Sequence, residues 1–282
     1  MRLLLFLPFL LGTFNSYSQQ VDFYLTPSIS KEIVEKNGGY IKEFLQKETG
    51  VQINLVVPSG YDAVVEAFGK ANPCFAIMGS LSYVDANKKY QAMVKLRTVR
   101  YGRAVYQGMI VVSANSNIKD LKDLNGKAIA YTDELSTSGY LYPKSMLQKA
   151  NVTAGKEIFA KKHDEVIKLV YEGKADAGAA FYSPPSTKGE IHDARDRVRA
   201  KYPDVEKKVI ILVTTDPIPN DPVVFSKQFD AETARKLYTA LVKFSTDAKG
   251  KQVLLDLYGT EGFTKASDTD YDSLRKLLAS IK

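Results

Sequence analysis

Short apolar runs alternate with amphipathic segments along almost the whole chain. Apolar runs bounded by turn residues predict strands at 21–25, 51–57, 74–78, 104–112, 127–131, 176–181 and 209–213. Apolar positions three or four residues apart predict helices at 33–47, 63–68, 139–150, 164–172, 231–244, 252–257 and 271–281. This repeated alternation predicts an α/β fold whose sheets are mixed and mostly parallel. There is no internal repeat and no low-complexity linker, so any two domains are joined by strands.

The first segment has the pattern of an export signal. Met1 and Arg2 are followed by an apolar run at 3–11 that is too short to span a bilayer comfortably. Small residues at Ser16 and Ser18 then stand at the spacing that a signal peptidase reads, which predicts a signal peptide at 1–18. The alternative is an uncleaved anchor. Export implies a periplasmic protein that is soluble after cleavage.

Composition narrows the class of protein. The 282 residues are 45% hydrophobic and 25% charged, which favours a globular chain with a large core over a disordered one. A single cysteine, Cys74, excludes a disulfide framework, and its apolar neighbours predict a buried strand residue. The net charge of +7 comes from mixed charges, so no nucleic-acid partner is expected. His163 and His192 lack metal-ligand spacing, and no metal or cofactor is predicted.

Residues 133–140 form the sharpest local feature. Ser136, Thr137, Ser138 and Gly139 follow a predicted strand and precede a predicted helix. Hydroxyls and free N–H groups at a helix start can together hold an oxyanion, and the glycine permits close approach of the backbone to a ligand. An ordinary helix N-cap explains the same residues equally well.

Two further segments carry candidate ligand groups. His163 opens the next predicted helix, where a neutral imidazole can donate one hydrogen bond to an anion; a capping or core histidine is the alternative. Asp221 lies in the extended turn 218–222, where its carboxylate can accept a hydrogen bond from a protonated ligand oxygen or contact an amine. The alternative is that these residues only form a turn, since Asn, Asp and Pro are common in turns. His192 lies in a polar stretch and is expected at the surface.

These segments, in this order, resemble the phosphate-, phosphite- and phosphonate-binding proteins of ABC importers. The resemblance runs from about residue 21 to about residue 260. Its most specific part is the Ser-Thr-Ser-Gly-Tyr-Leu-x-Pro run at 136–143, and the other matching pieces are 59–61, 79–83, 106–112, 163–164 and 218–222.

The resemblance implies a two-lobed periplasmic-binding-protein fold of type II that closes over its ligand. The crossings are expected near 113–117 and 215–220, with lobe 1 at 19–114 and 219–282 and lobe 2 at 115–218. By this resemblance Ser136, Thr137, Ser138 and His163 hold phosphorus-bound oxygens from the second lobe. Tyr61 and Tyr106 cover the ligand from the first lobe, and Asp221 lies near the hinge.

The chain departs from that pattern at two places. Family members that bind aminophosphonates carry a further carboxylate after the strand that matches 176–180, whereas residues 181–185 here contain no acid. Asp221 alone is not enough to stabilise a buried ammonium group, which needs several charged or hydrogen-bonding partners. Residues 160–162 end in Lys162, which adds positive charge if it reaches the cleft, although a solvated lysine is the simpler interpretation.

The leading hypothesis is a monomeric, non-enzymatic binding protein that delivers a phosphorus oxyanion or small phosphonate to an ABC permease in the inner membrane. The alternative is a sensor with the same lobes that signals to a membrane receptor or kinase. A hydrolase is disfavoured, because Ser136 lies in no nucleophile-elbow glycine pattern and no metal cluster accompanies it.

Overall fold

The computed structural model describes residues 20–186 and 188–281. The signal peptide predicted at 1–18 lies outside the described residues. Within the described ranges, none of the helices combines the length and the apolar character that crossing a bilayer requires.

The described chain alternates strands and helices, as the hydrophobic pattern predicts. The strands are β1 Val21–Leu25, β2 Ile53–Val56, β3 Cys74–Ile77, β4 Met93–Val99, β5 Val105–Ser113, β6 Ala128–Tyr131, β7 Lys156–Phe159, β8 Ala177–Tyr182, β9 Val209–Thr214, β10 Ile218–Pro219, β11 Pro222–Phe225 and β12 Gly262–Lys265. The α-helices are α1 Lys31–Thr49, α2 Tyr61–Ala67, α3 Ser80–Tyr90, α4 Tyr142–Lys149, α5 His163–Tyr171, α6 Val205–Lys208, α7 Ala231–Thr246, α8 Ala248–Tyr258 and α9 Asp272–Ser280. A π-helical turn, Thr137–Leu141, leads directly into α4.

The strands form two six-stranded sheets, one in each lobe. The first has the order β12-β4-β11-β3-β1-β2, and the second has the order β10-β5-β8-β6-β7 with β9 paired to β5. The predicted α/β class with mixed sheets is therefore confirmed. The expectation of mostly parallel sheets is wrong, since the pairs named here comprise four parallel ladders and six antiparallel ones. Strands that carry the chain between lobes run against their neighbours, and strand periodicity does not reveal direction.

The chain changes sheets earlier than expected. The sequence-based boundary places residues up to 114 in the first lobe, but β5 pairs with β8 and β9 of the second sheet. The first crossing therefore falls between β4 and β5, at residues 100–104. The second crossing falls between β10, which pairs with β5, and β11, which pairs with β3 and β4. Arg100 and Asp221 consequently lie at the two crossings.

Helix α1 illustrates how local sequence sets an element. The Ser30 side chain accepts a hydrogen bond from the Ile33 N–H at its start, and Gly50 ends it with a φ of 71°. Val34 and Ile41 on its apolar face are fully buried against the first sheet. Local capping and burial agree here, which is why the sequence predicts this helix to within two residues of its bounds.

Candidate ligand-binding site

A cleft between the two sheets collects all of the residues that the sequence singled out for binding. We call it the main cleft, and among its lining residues are Tyr61, Tyr106, Ser136, Thr137, Ser138, His163 and Asp221. Most of them follow the carboxyl ends of strands: β2 leads to Tyr61, β6 to the serine–threonine run and β7 to His163. Open α/β sheets bind ligands at this edge. The seven residues are thus brought together, and their contact with a ligand is a prediction.

The hydroxyl run serves both capping and the cleft. Ser136 is the N-cap, and its Oγ accepts a hydrogen bond of 3.1 Å from the Gly139 N–H. Thr137 and Ser138 are 2% exposed and line the main cleft at the start of the π-helical turn, where N–H groups lack acceptors within the helix. The capping interpretation therefore applies to Ser136, whereas Thr137 and Ser138 remain available to bind an anion.

Gly139 has a different role from the one expected. A Cβ atom at this position would lie 1.8 Å from Oγ1 of Thr132. The glycine is therefore required by the close packing of the π-helical turn against the end of β6. This contact, rather than close approach of the backbone to a ligand, excludes a side chain at residue 139.

Contacts across the cleft join the two lobes. The Leu81 N–H, at the start of α3, donates a 2.8 Å hydrogen bond to Oγ1 of Thr137. The His163 N–H donates to the carbonyl oxygen of Ser28 at 3.4 Å. Because Thr137 Oγ1 accepts from Leu81, its own hydroxyl hydrogen is free to donate to a ligand oxygen. The same residue can therefore contact the opposite lobe and a bound anion at once.

His163 is held as a neutral donor. Its Nδ1 accepts a hydrogen bond of 3.3 Å from the Phe181 N–H, which can only donate. The imidazole hydrogen is therefore on Nε2, the atom left to donate to a ligand. Burial, together with the positive charges of Arg100 and Arg197, lowers the pKa of His163 to about 3.

This pKa has a measurable consequence for stability. Below the ordinary histidine pKa of about 6.5, the unfolded chain binds a proton that the folded chain excludes, so stability is lost as the pH falls toward 3. We expect His163→Gln to remove roughly 2 kcal/mol of the stability difference between pH 8 and pH 5. Urea unfolding at both pH values measures it. Identical pH slopes for variant and wild type would contradict a neutral buried His163.

Asp221 is already engaged by a cation. Its Oδ2 lies 2.5 Å from a terminal nitrogen of Arg100, and the two side chains are only 18% and 8% exposed. Burial raises the pKa of Asp221, and the neighbouring Arg100 guanidinium opposes that shift. The carboxylate therefore balances Arg100 and has little capacity for a ligand amine.

The two tyrosines approach the cleft from different sheets. Tyr61 begins α2 of the first lobe and is 3% exposed. Tyr106 was expected on the first lobe as well, but it lies on β5 and pairs with Ile218 of β10 in the second sheet. The guanidinium of Arg100 stacks over its ring, with 5.1 Å to the ring centre. Both rings are buried and line the main cleft, and their covering of a ligand stays a prediction.

Sequence reasoning missed the two arginines of the main cleft, Arg100 and Arg197. Neither lies in a motif, and nothing in the local sequence distinguishes them among the 39 lysines and arginines of the chain. Tertiary structure brings them to one place, because Arg100 lies at the first crossing and Arg197 lies in the 3-10 helix Ala194–Val198 of the second lobe.

The remaining sequence expectations can be placed as well. Lys162 is the residue before α5 and is not among the residues that line the main cleft. His192 differs from its expected solvated position, since its ring stacks on Tyr101 at 3.7 Å. Cys74 is buried in β3 as predicted, and burial raises the pKa of its thiol to about 12. Cys74 is therefore an unreactive core residue.

Comparisons with known proteins give the family. A family model described as the periplasmic substrate-binding protein of phosphonate ABC transporters matches residues 23–271. The phosphate-import protein PhnD of Mycolicibacterium smegmatis is 30% identical over 183 residues, which are 60% of this chain and 57% of that relative. The phosphonates-binding periplasmic protein of Escherichia coli is 26% identical over 83% of this chain and 68% of its own length.

A solved structure shows the same fold. PhnD1 from Prochlorococcus marinus, in complex with methylphosphonate, has a TM-score of 0.75 and 22% sequence identity. The superposition covers 94% of this chain and 98% of that one. The two-lobed architecture expected from the sequence is therefore confirmed.

Proposed function

Because this chain belongs to the family of periplasmic phosphonate-binding proteins of ABC transporters, we propose that it captures a small phosphorus oxyanion or phosphonate in the main cleft and delivers it to an inner-membrane permease. The family match confirms the resemblance read from the sequence. Proteins of this family bind substrates for transport and are not enzymes. We further infer export through a cleaved signal peptide at 1–18 and function as a monomer.

The observation that carries this proposal is the donor set of the main cleft. Thr137, Ser138 and the Nε2–H of His163 supply neutral hydrogen-bond donors in a buried site. Arg100 and Arg197 add two positive charges. The carboxylate of Asp221 is the one acidic group among the described residues that line the cleft. Such a site stabilises a small dianion, because donors and an excess positive charge replace the water that the anion loses.

Binding is expected to compact the molecule. A ligand held between lobes contacts both, so closure should accompany binding, and the bonds from Leu81 and His163 across the cleft form only when the lobes meet. Small-angle scattering of ligand-stripped protein should show a larger radius of gyration than the same protein with ligand. An unchanged radius, with tight binding established by calorimetry, would contradict the two-lobe cleft.

The ligand class is tested by a calorimetric competition panel. Phosphate, phosphite and methylphosphonate are the candidate ligands, and sulfate is the control for a generic tetrahedral anion. We expect 2-aminoethylphosphonate to bind at least about tenfold more weakly than propylphosphonate, in which a methyl group replaces the ammonium group. Arg100 and Arg197 repel the ammonium, Asp221 is engaged, and a cation–π contact of ~2 kcal/mol offsets only part of a desolvation cost of several kcal/mol.

Two outcomes would contradict these statements. Displacement of propylphosphonate by an equal concentration of the aminophosphonate would show that residues 181–183 and Asp221 do accommodate a cation. Failure of every phosphorus anion to bind would reject the proposed function itself.

A further inference from the structure

A second space adjoins the main cleft. We call it the side chamber, and its walls include Ser183, Tyr101 and His192. It shares four lining residues with the main cleft: Arg100, Phe181, Arg197 and Tyr258. The hydroxyl run at 136–138 lines the main cleft and not the side chamber. The two arginines therefore stand at the junction, and the hydroxyl donors lie to one side of it.

The arginines at this junction have unused hydrogen-bonding capacity. Arg100 is 7% exposed and donates to Asp221, while its Nε is buried without a hydrogen-bond partner among the described residues. Arg197 has no carboxylate within 4 Å in the described part of the chain. Burial and the charge of Arg100 lower the pKa of Arg197. A half-buried guanidinium group with no carboxylate partner in the ranges that the structure describes, next to the buried guanidinium of Arg100, creates a demand for a further anion.

The acidic residues near the side chamber do not meet that demand. Asp193 accepts three hydrogen bonds, all from Arg195. One comes from the Arg195 backbone N–H and two come from its guanidinium nitrogens. Asp196 is exposed and pairs with Arg199 at 3.5 Å. Asp164 and Asp196 exert an attractive field on Arg197 without contacting it. Among the described residues, none of these carboxylates lies within 4 Å of the Arg197 guanidinium, which therefore keeps its capacity to pair with an anion.

We propose that the side chamber binds a second anionic group of the ligand, so that the preferred ligand is a phosphonate whose short carbon chain ends in a carboxylate. This inference rests on the proposed function, because it places the phosphoryl group at Thr137 and Ser138. The chain passes between Phe181 and Tyr258, which line both spaces. The carboxylate then meets the planar fork of Arg197, which suits bidentate pairing with a carboxylate.

Three phosphonates with the same three-carbon chain test this inference. They are 3-phosphonopropionate, propylphosphonate and 3-aminopropylphosphonate, whose substituents are anionic, neutral and cationic. Methylphosphonate is the reference for the phosphoryl group alone. Isothermal titration at fixed pH and ionic strength is carried out on the wild type, on Arg197→Gln and on Arg235→Gln, which removes an exposed arginine of α7 remote from the cleft.

We expect the wild type to bind 3-phosphonopropionate at least tenfold more tightly than propylphosphonate, with the amine weakest. Arg197→Gln should abolish this preference, because it should weaken binding of 3-phosphonopropionate at least tenfold more than binding of methylphosphonate or propylphosphonate, and Arg235→Gln should preserve the preference. Equal loss of affinity for every phosphonate in Arg197→Gln would place Arg197 on the phosphoryl group and overturn the inference. No advantage of the carboxylate in the wild type, or binding of methylphosphonate without the three-carbon ligands, would also overturn it. If no phosphorus anion binds, the proposed function has failed, and the inference fails with it.

Discussion

Thr137→Ala is expected to weaken binding of the phosphorus anion ten- to more than a hundredfold. The substitution removes a hydroxyl that is free to donate to the ligand, and a hydrogen bond to a charged group contributes roughly 1.5–3 kcal/mol. It also removes the acceptor of the Leu81 N–H, a contact that joins the lobes only when they are closed. Calorimetric titration with the tightest ligand of the panel measures the loss.

Folding stability separates a binding role for Thr137 from a structural one. Ser136, not Thr137, is the helix cap, and the Leu81 amide meets water when the lobes are open, so thermal unfolding of ligand-free Thr137→Ala should change by less than ~1 kcal/mol. Thr246→Ala is the matched control, because its exposed hydroxyl donates to the Lys243 carbonyl oxygen away from the cleft. A Thr137 variant that melts far lower yet binds normally would show that the hydroxyl is purely structural.

Arg100→Met should destabilise the ligand-free protein by about 3–5 kcal/mol at pH 8. It leaves the carboxylate of Asp221 in a buried position without its cation, and breaking a buried pair costs this much. Protonation of Asp221 removes the unpaired charge, and burial already raises the pKa of that carboxyl. The loss of unfolding free energy in Arg100→Met relative to the wild type should therefore become smaller as the pH falls toward 5. Urea unfolding at both pH values measures it.

Two further variants control this experiment. Arg100→Met combined with Asp221→Asn removes both charges and should recover a large part of the lost stability. Lys236→Met breaks an exposed ion pair with Glu232 on α7 and should cost less than ~1 kcal/mol. A similar cost for Arg100→Met and Lys236→Met would show that the pair at the crossings is solvated in the free protein.

Elements with both a local signal and a buried face are predictable from the sequence. Helix α1 and strand β1 belong to this class. The sequence pattern does not predict the helices α3 and α6 or the strands β4, β7, β10, β11 and β12. Helix α3 has Gly79 as its N-cap and so lacks a side-chain cap, and its first turn contains two polar residues that are buried, since Ser80 and Ser82 are at most 1% exposed. Their hydroxyls donate to the carbonyl oxygens of Pro219 and Leu135, which belong to distant segments that a local pattern does not encode.

Some features of the candidate site are predictable from the local sequence, and others depend on residues far apart in the chain. Ser136, Thr137, Ser138 and His163 each lie at a helix start, so the sequence identifies them as candidate anion donors. The tautomer of His163 depends on the Phe181 N–H, which is 18 residues away, and the engagement of Asp221 depends on Arg100, which is 121 residues away. The spacing of residues along the chain therefore predicts neither of these two hydrogen-bonded pairs.

The sequence by itself determined the α/β class, the family resemblance and the hydroxyl run that lines the main cleft, because these depend on periodicity and on residues adjacent along the chain. Tertiary structure alone decided strand direction, the sheet to which β5 and Tyr106 belong, and the charge of the cleft. Charge in a buried site is a sum over groups brought together from distant segments. Arg100, Arg197 and Asp221 acquire their joint effect only when the two crossings and the second lobe fold around one space.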